Sequence, residues 1–183
     1  MRIISGKYKG RRIEPPKNIT ARPTTDFAKE SLFNLLQNRM DFNGARVLDL
    51  FSGTGSISLE CVSRGAKEVF AVEIAHVQQN FIIQTSKQLG INNLHVVRGD
   101  SFKYLNSRLA TNESICFNLI FADPPYNHPD LITLPTLVME KQWLADEGWF
   151  VLEHPSQYDF TAYRGFVEHR EYGSVNFSFF QKQ

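Results

Sequence analysis

Cysteine is nearly absent from this 183-residue chain, with Cys61 and Cys116 the only two. That is too few for a disulfide framework or a cysteine-based metal site, and it fits a reducing compartment with two small buried side chains. Long apolar runs are missing too. No stretch approaches the roughly 20 residues of a membrane span. No apolar block of the secretory kind stands near Met1, so a soluble, cytoplasmic protein is expected. The five histidines lack ligand spacing, and no metal is expected. Internal repeats and low-complexity tracts are absent. No Gly-Lys-Ser/Thr follows the glycines, which excludes a P-loop. What is present, at 42% hydrophobic residues, suffices for one well-cored domain with little room for a second.

Acidic residues are scarce at one end only. The chain carries 20 basic and 19 acidic residues, yet residues 1–22 hold Arg2, Lys7, Lys9, Arg11, Arg12, Lys17 and Arg22 against Glu14 alone. A basic arm on an acidic body points to a polyanion, nucleic acid above all, although a solvated tail would carry the same charge. Arg2 to Ile13 reads as two short strands with glycines near the turn, a basic hairpin. Pro15, Pro16 and Arg22-Pro23-Thr24-Thr25 form an extended connector. Thr24 or Thr25 can cap the next helix, with Asp26 in its first turn and Ala28, Leu32, Leu35 and Leu36 as its apolar stripe. The expected organisation is an arm and connector over 1–23 and one larger domain over 24–183.

Strand and helix then alternate. Strands are predicted at Arg46–Phe51, Val69–Glu73, Leu94–Arg98, Phe117–Ala122 and Trp149–Glu153. Helices are predicted at Ser56–Arg64, His76–Leu89, Phe102–Leu109 and Leu131–Lys141. Gly165–Tyr172 and Ser174–Gln181 read as paired strands with no helix between them. The pattern predicts an α/β fold: a mostly parallel sheet covered by helices, with antiparallel character at one edge.

The chemistry-bearing residues fall at strand ends. Asp49-Leu50-Phe51-Ser52-Gly53-Thr54-Gly55 leaves the first strand for a helix, and its glycines permit a sharp turn and close ligand approach. It resembles half of a dinucleotide fingerprint, with Ser58 where a third glycine would stand, and a tight turn alone would also explain it. Glu73 ends the second strand, where a carboxylate can accept both hydroxyls of a ribose. Asp100, after the third strand, could accept from an adenine amine, with Ser101 and Phe102 beside it. Either acid alone could be a solvated strand end or a helix cap. Asp123-Pro124-Pro125-Tyr126 follows the fourth strand. The prolines stiffen it, leaving an acceptor carboxylate, exposed carbonyls and a flat ring, parts that suit gripping a planar group bearing NH₂. All four features lie at the sheet edge where open α/β folds bind ligands. A nicotinamide enzyme has no evident use for Asp-Pro-Pro-Tyr. S-adenosylmethionine, an adenosine cofactor without pyrophosphate, needs fewer glycines and fits better.

These residues resemble the class I S-adenosylmethionine-dependent methyltransferases that act on amino groups. With Arg2 to Arg12, Arg22-Pro23-Thr24-Thr25-Asp26 and Glu30-Ser31-Leu32-Phe33-Asn34, nearly the whole chain is similar to the RsmD family of 16S rRNA guanine-N2 methyltransferases. The resemblance implies a Rossmann-like, seven-stranded, mostly parallel sheet with an antiparallel C-terminal edge hairpin, plus a basic N-terminal β-hairpin. It implies S-adenosylmethionine bound by Asp49, Phe51, Gly53, Gly55, Glu73, Ile74, Asp100, Ser101, Arg22 and Thr24. It implies catalysis by Asp123, Pro124, Pro125 and Tyr126, with Asp123 standing where many relatives carry Asn. Arg2, Lys7, Lys9, Arg11 and Arg12 would contact RNA, and the partner would be small-subunit ribosomal RNA or an assembling small subunit. A monomer is expected. Methylation of an adenine amine or a glutamine amide stays open at this point, as does a relative that binds RNA without catalysis.

Overall fold

A computed structural model describes residues 1–16, 19, 25–107 and 115–182, and their strands form one seven-stranded sheet. In chain order the strands are β1 (Arg46–Leu50), β2 (Glu68–Glu73), β3 (Leu94–Arg98), β4 (Phe117–Ala122), β5 (Leu144–His154), β6 (Phe166–Tyr172) and β7 (Val175–Gln181). The helices are α1 (Asp26–Gln37), α2 (Ser56–Ser63), α3 (His76–Leu89), α4 (Ser101–Ser107) and α5 (Leu134–Glu140). Sheet order is β3-β2-β1-β4-β5-β7-β6. The first five strands pair in parallel, and β7 runs antiparallel to both neighbours. The alternation and the edge hairpin are as the sequence predicts. Among the described residues no helix is long and apolar enough to cross a membrane.

Two elements differ from the sequence expectation. β5 begins five residues early, at Leu144, because its pairing with β4 shifts register between Phe117 and Leu119. The polar stretch Asp146-Glu147, with Glu147 at φ 59°, lies in that irregularity and breaks the apolar signal. The helix predicted over Leu131–Lys141 is a 3₁₀ turn, Leu131–Thr133, followed by α5. Pro135 has no N–H to continue a preceding helix but suits the first turn of a new one. At α1 the choice of cap falls on Thr25, whose Oγ1 accepts from the Ala28 N–H at 3.2 Å.

Central strands buried on both faces read as continuous apolar runs. Alternate residues therefore feed two cores. Val47, Val69, Phe121, Val151 and Phe177 pack with α1 and α2 through Leu32, Phe33, Leu36, Ile57 and Cys61. Leu48, Leu50, Ile120, Phe150 and Leu152 pack on the other face with Phe102, Leu105, Leu134 and Val138 of α4 and α5.

Residues 1–13 fold back as a hairpin, but with a single antiparallel bridge, Arg2 to Arg12, in place of two full strands. Met1, Ile3, Gly10 and Ile13 pair across it, but from Ile4 to Tyr8 backbone N–H groups pair outward. Ile4 and Ser5 N–H donate to the Glu60 carboxylate at 2.7 and 3.0 Å, Lys7 N–H donates to the Ser63 carbonyl at 2.7 Å, and Tyr8 N–H donates to Ser63 Oγ at 2.9 Å. At Gly6, φ is +79° and a Cβ would lie 1.8 Å from the Ser63 carbonyl oxygen, so only glycine permits this approach. Beneath the hairpin, Lys29 and Glu60 are both buried, with Nζ 3.9 Å from Oε2. Lys29 also donates to the Arg2 carbonyl at 2.6 Å and to Ser56 Oγ at 3.1 Å, and Arg64 Nε donates to Glu60 Oε1 at 2.9 Å. Burial pulls the Lys29 ammonium below its ordinary pKa, against the pull of Glu60 and Asp26. The arm is thus fastened to the far end of α2.

Candidate active site

Each strand of the parallel half delivers its last residues to one edge, and the order reverses between β1 and β4. That switch point is where an open α/β sheet holds ligands. A cleft of about 640 Å³ opens there, within the range of small-molecule sites. It is lined by Asp49, Phe51, Gly53, Glu73, Ile74, Asp100, Ser101, Asp123, Pro124, Pro125 and Tyr126. The structure therefore brings together the strand-end residues that the sequence singles out separately.

The glycine loop is built from its own requirements. Gly55 stands at the N-cap of α2 with φ 74° and offers no side-chain acceptor. Asp49 supplies one from β1: its Oδ2 accepts from Ser58 N–H at 3.0 Å and from Ser58 Oγ at 2.5 Å. Ser58, which departs from the dinucleotide pattern, is therefore the anchor of that carboxyl group. A Cβ on Gly55 would lie 2.9 Å from Ile82 Cγ1 of α3. Burial raises the Asp49 pKa to about 7, opposed by the two Ser58 hydrogen bonds and reinforced by Glu73.

Glu73 ties the loop to β2. Its Oε2 accepts from Gly53 N–H at 2.7 Å and its Oε1 from Ala75 N–H at 2.8 Å. Ile74 beside it is 66% exposed, an apolar plate at the cleft rim. Asp100 caps α4, with Oδ1 accepting from Lys103 N–H at 2.8 Å. Ser101 Oγ accepts from Phe51 N–H at 3.1 Å and holds Phe51 at φ 58°. An aromatic wall follows: Phe51 stands edge-on to Phe102, which stacks on His128 at 4.4 Å between centroids. Opposite, the Tyr126 hydroxyl donates to Glu153 Oε1 at 3.0 Å, fixing the ring.

Thr25, His128, Glu153 and Val175 also line the cleft, and none stands out as a site residue in the sequence. Glu153 had a signal, since it is an acid ending a strand as Glu73 is. His128 had none. Gly55, at the N-cap of α2, is not among the residues that line the cleft, while Arg22 and Thr24 fall outside the described residues, as does Lys17. Of the arm, Lys7, Lys9, Arg11 and Arg12 are exposed. Arg2 is also exposed but turns toward α1, with Nε 3.8 Å from Asp26 and a terminal nitrogen 3.7 Å from Glu30. The hairpin begins beside the cleft, where the Thr54 hydroxyl meets Met1 Sδ at 3.5 Å. Among the described residues no group of three or more His, Cys, Asp or Glu could hold a metal.

The fold, the glycine loop and the cleft define a class I methyltransferase. The chain belongs to the family described as "Conserved hypothetical protein 95", whose model matches residues 1–181, and this is the RsmD family that the sequence resembles. It is 37% identical over 155 residues to "Putative rRNA methyltransferase YlbH" of Bacillus subtilis strain 168, covering 84% of this chain and 82% of that one. It is 31% identical over 153 residues to "Ribosomal RNA small subunit methyltransferase D" of Escherichia coli K12, covering 84% and 74%. The solved structure "Putative methyltransferase yhhF from Escherichia coli" superposes with a TM-score of 0.83 at 28% identity, covering 100% of this chain and 98% of that one.

Proposed function

We propose that this protein methylates the exocyclic N2 amine of a guanine in small-subunit ribosomal RNA, using S-adenosylmethionine, as a cytoplasmic monomer. Residues 1–23 act as the RNA-gripping arm and 24–183 as the methyltransferase domain. One observation carries this reading: Asp123-Pro124-Pro125-Tyr126 faces the same cleft as the glycine loop, Glu73 and Asp100. The names of the relatives support RNA as the substrate class.

The residues present fit the cofactor. Glu73 has the acceptor oxygens a ribose needs, Ile74 and Phe51 offer apolar surface for a purine, and Gly53 leaves the loop backbone uncovered. Bound there, S-adenosylmethionine supplies an electrophilic methyl carbon on a positively charged sulfur. The Asp123 carboxylate and the Pro124 carbonyl accept the two amine hydrogens, which pulls the nitrogen out of conjugation and toward a tetrahedral, more nucleophilic form. Tyr126 stacks on the base, its ring held by the hydrogen bond to Glu153. Placement of this kind can lower a barrier by roughly 7–11 kcal/mol. A base inside a duplex cannot reach the cleft, so the target guanine is looped or flipped out. Incubating the protein, labelled methyl donor and small-subunit RNA or particles, with nucleoside mass spectrometry, should yield N2-methylguanosine. Label appearing only in another nucleoside would overturn the assignment.

Cofactor binding should depend on pH with a definite sign. A cation beside Asp49 favours the ionised carboxylate and so lowers its pKa from about 7. Affinity is therefore full above pH 7 and weakens as pH falls below it, with a proton released on binding. Calorimetry in buffers of different ionisation enthalpy checks this, and a pH-independent affinity would contradict it.

The arm should grip phosphates without choosing the base. Replacing Arg11 and Arg12 together by Ala should weaken RNA binding and flatten the log–log salt slope by about 1.5. Cofactor affinity should stay unchanged. Unaltered RNA affinity in filter binding would remove the arm from the interface.

A further inference from the structure

Ala122 of β4 pairs with Leu152 of β5, so the next residues, Asp123 just beyond the end of β4 and Glu153 still within β5, lie side by side. Glu153 is only 5% exposed, yet it lines the cleft beside Asp123, Pro124 and Tyr126. A carboxylate sunk in a pocket is costly to desolvate, its two oxygens can accept several donors, and the Tyr126 hydroxyl is one of them. The cleft thus presents two neighbouring acceptor groups where a target base must enter.

That pair of acceptors matches one base edge. Guanine carries two adjacent donors, N2–H and N1–H. Adenine beside its amine has N1 as an acceptor, and its lone pair would face a carboxylate. We propose that Glu153 selects guanine by accepting N1–H while Asp123 accepts N2–H. This rests on the reading of the activity given above. It adds a specificity residue to the cleft and a reason why an adenine amine, equally planar and equally reactive in kind, is refused. A flipped base is commonly read along this edge, and a buried polar group left facing the wrong partner discriminates strongly.

The test uses the intact protein and an RNA fragment bearing the methylated guanosine, made with guanosine or with 2-aminopurine at that position. 2-Aminopurine keeps the amine but has a bare acceptor at N1. The wild type should prefer guanosine by roughly 100-fold in kcat/KM. Glu153→Gln presents an amide that can donate to a bare N1, and it should shrink this ratio to about tenfold or less. The change in this ratio from wild type to variant cancels the intrinsic reactivity of the two amines. A wild type that uses both bases equally would overturn the proposal without any variant. So would a Gln variant that slows both by one common factor, because Glu153 would then merely position Tyr126. Absence of N2-methylguanosine in the unmodified RNA treated with wild type is a separate reading and sinks the activity itself.

Discussion

Asp123→Ala should lose roughly 10³-fold in single-turnover methyl transfer while its melting temperature and cofactor affinity stay near wild type. The carboxylate is half-buried at the end of β4, beyond the last core residue, Ala122. Removing it takes no apolar area from either core. On the proposed mechanism, what it removes is the acceptor that holds the amine and draws its lone pair toward the methyl carbon. Asp123→Asn keeps one acceptor oxygen and no proton-accepting charge, so the two variants separate these roles. If acceptance of the amine hydrogen dominates, Asn recovers most of the loss. If proton removal dominates, Asn is as slow as Ala. Near-normal turnover of the Ala variant would contradict both.

Glu60→Ala should cost about 3–5 kcal/mol of folding stability, because it strands a buried Lys29 ammonium without its countercharge. It also removes the acceptor for the Ile4 and Ser5 N–H groups and for Arg64 Nε. For a chain of this size the melting temperature should fall by about 10 °C. Because those lost bonds face the arm, limited proteolysis should cut within residues 1–13 well before the core opens. A double variant, Lys29→Met with Glu60→Met, removes both charges and should recover much of the melting temperature but not the arm's protection. A melting curve unchanged in Glu60→Ala would show that the buried pair does not hold the arm.

The contrast between these sites explains what was legible in the sequence. Asp123, Glu73 and the glycine loop each stand at or just after the end of a strand whose apolar run is clear, so local pattern and chain order place them on one edge. Thr25 and Asp100 were legible as helix caps, since a cap is a local hydrogen bond. Lys29 and Glu60 were not. They lie 31 positions apart on two helices, and each alone reads as an ordinary polar residue on a helical face. Only packing of α1 against α2 makes them a pair. The tie between Asp49 and Ser58 was hidden for a similar reason, because Ser58 reads as a defect in a glycine motif until β1 and α2 are set side by side. The early half of β5 was masked by polar residues in its irregular stretch. Glu153 shared the strand-end signal of Glu73 but lacked a recognisable companion until Tyr126 was seen to reach it.

The docking of residues 1–13 on α2 has a consequence for substrate choice. A loosely tethered basic tail would tolerate many distances between the phosphates it holds and the base being modified. On the proposed reading of the arm, the docked hairpin sets the span from Arg11 and Arg12 to the Asp123 corner, so the molecule would work as a caliper. An RNA with one nucleotide inserted between the gripped backbone and the everted guanine would present the right base at the wrong reach, and it should be passed over.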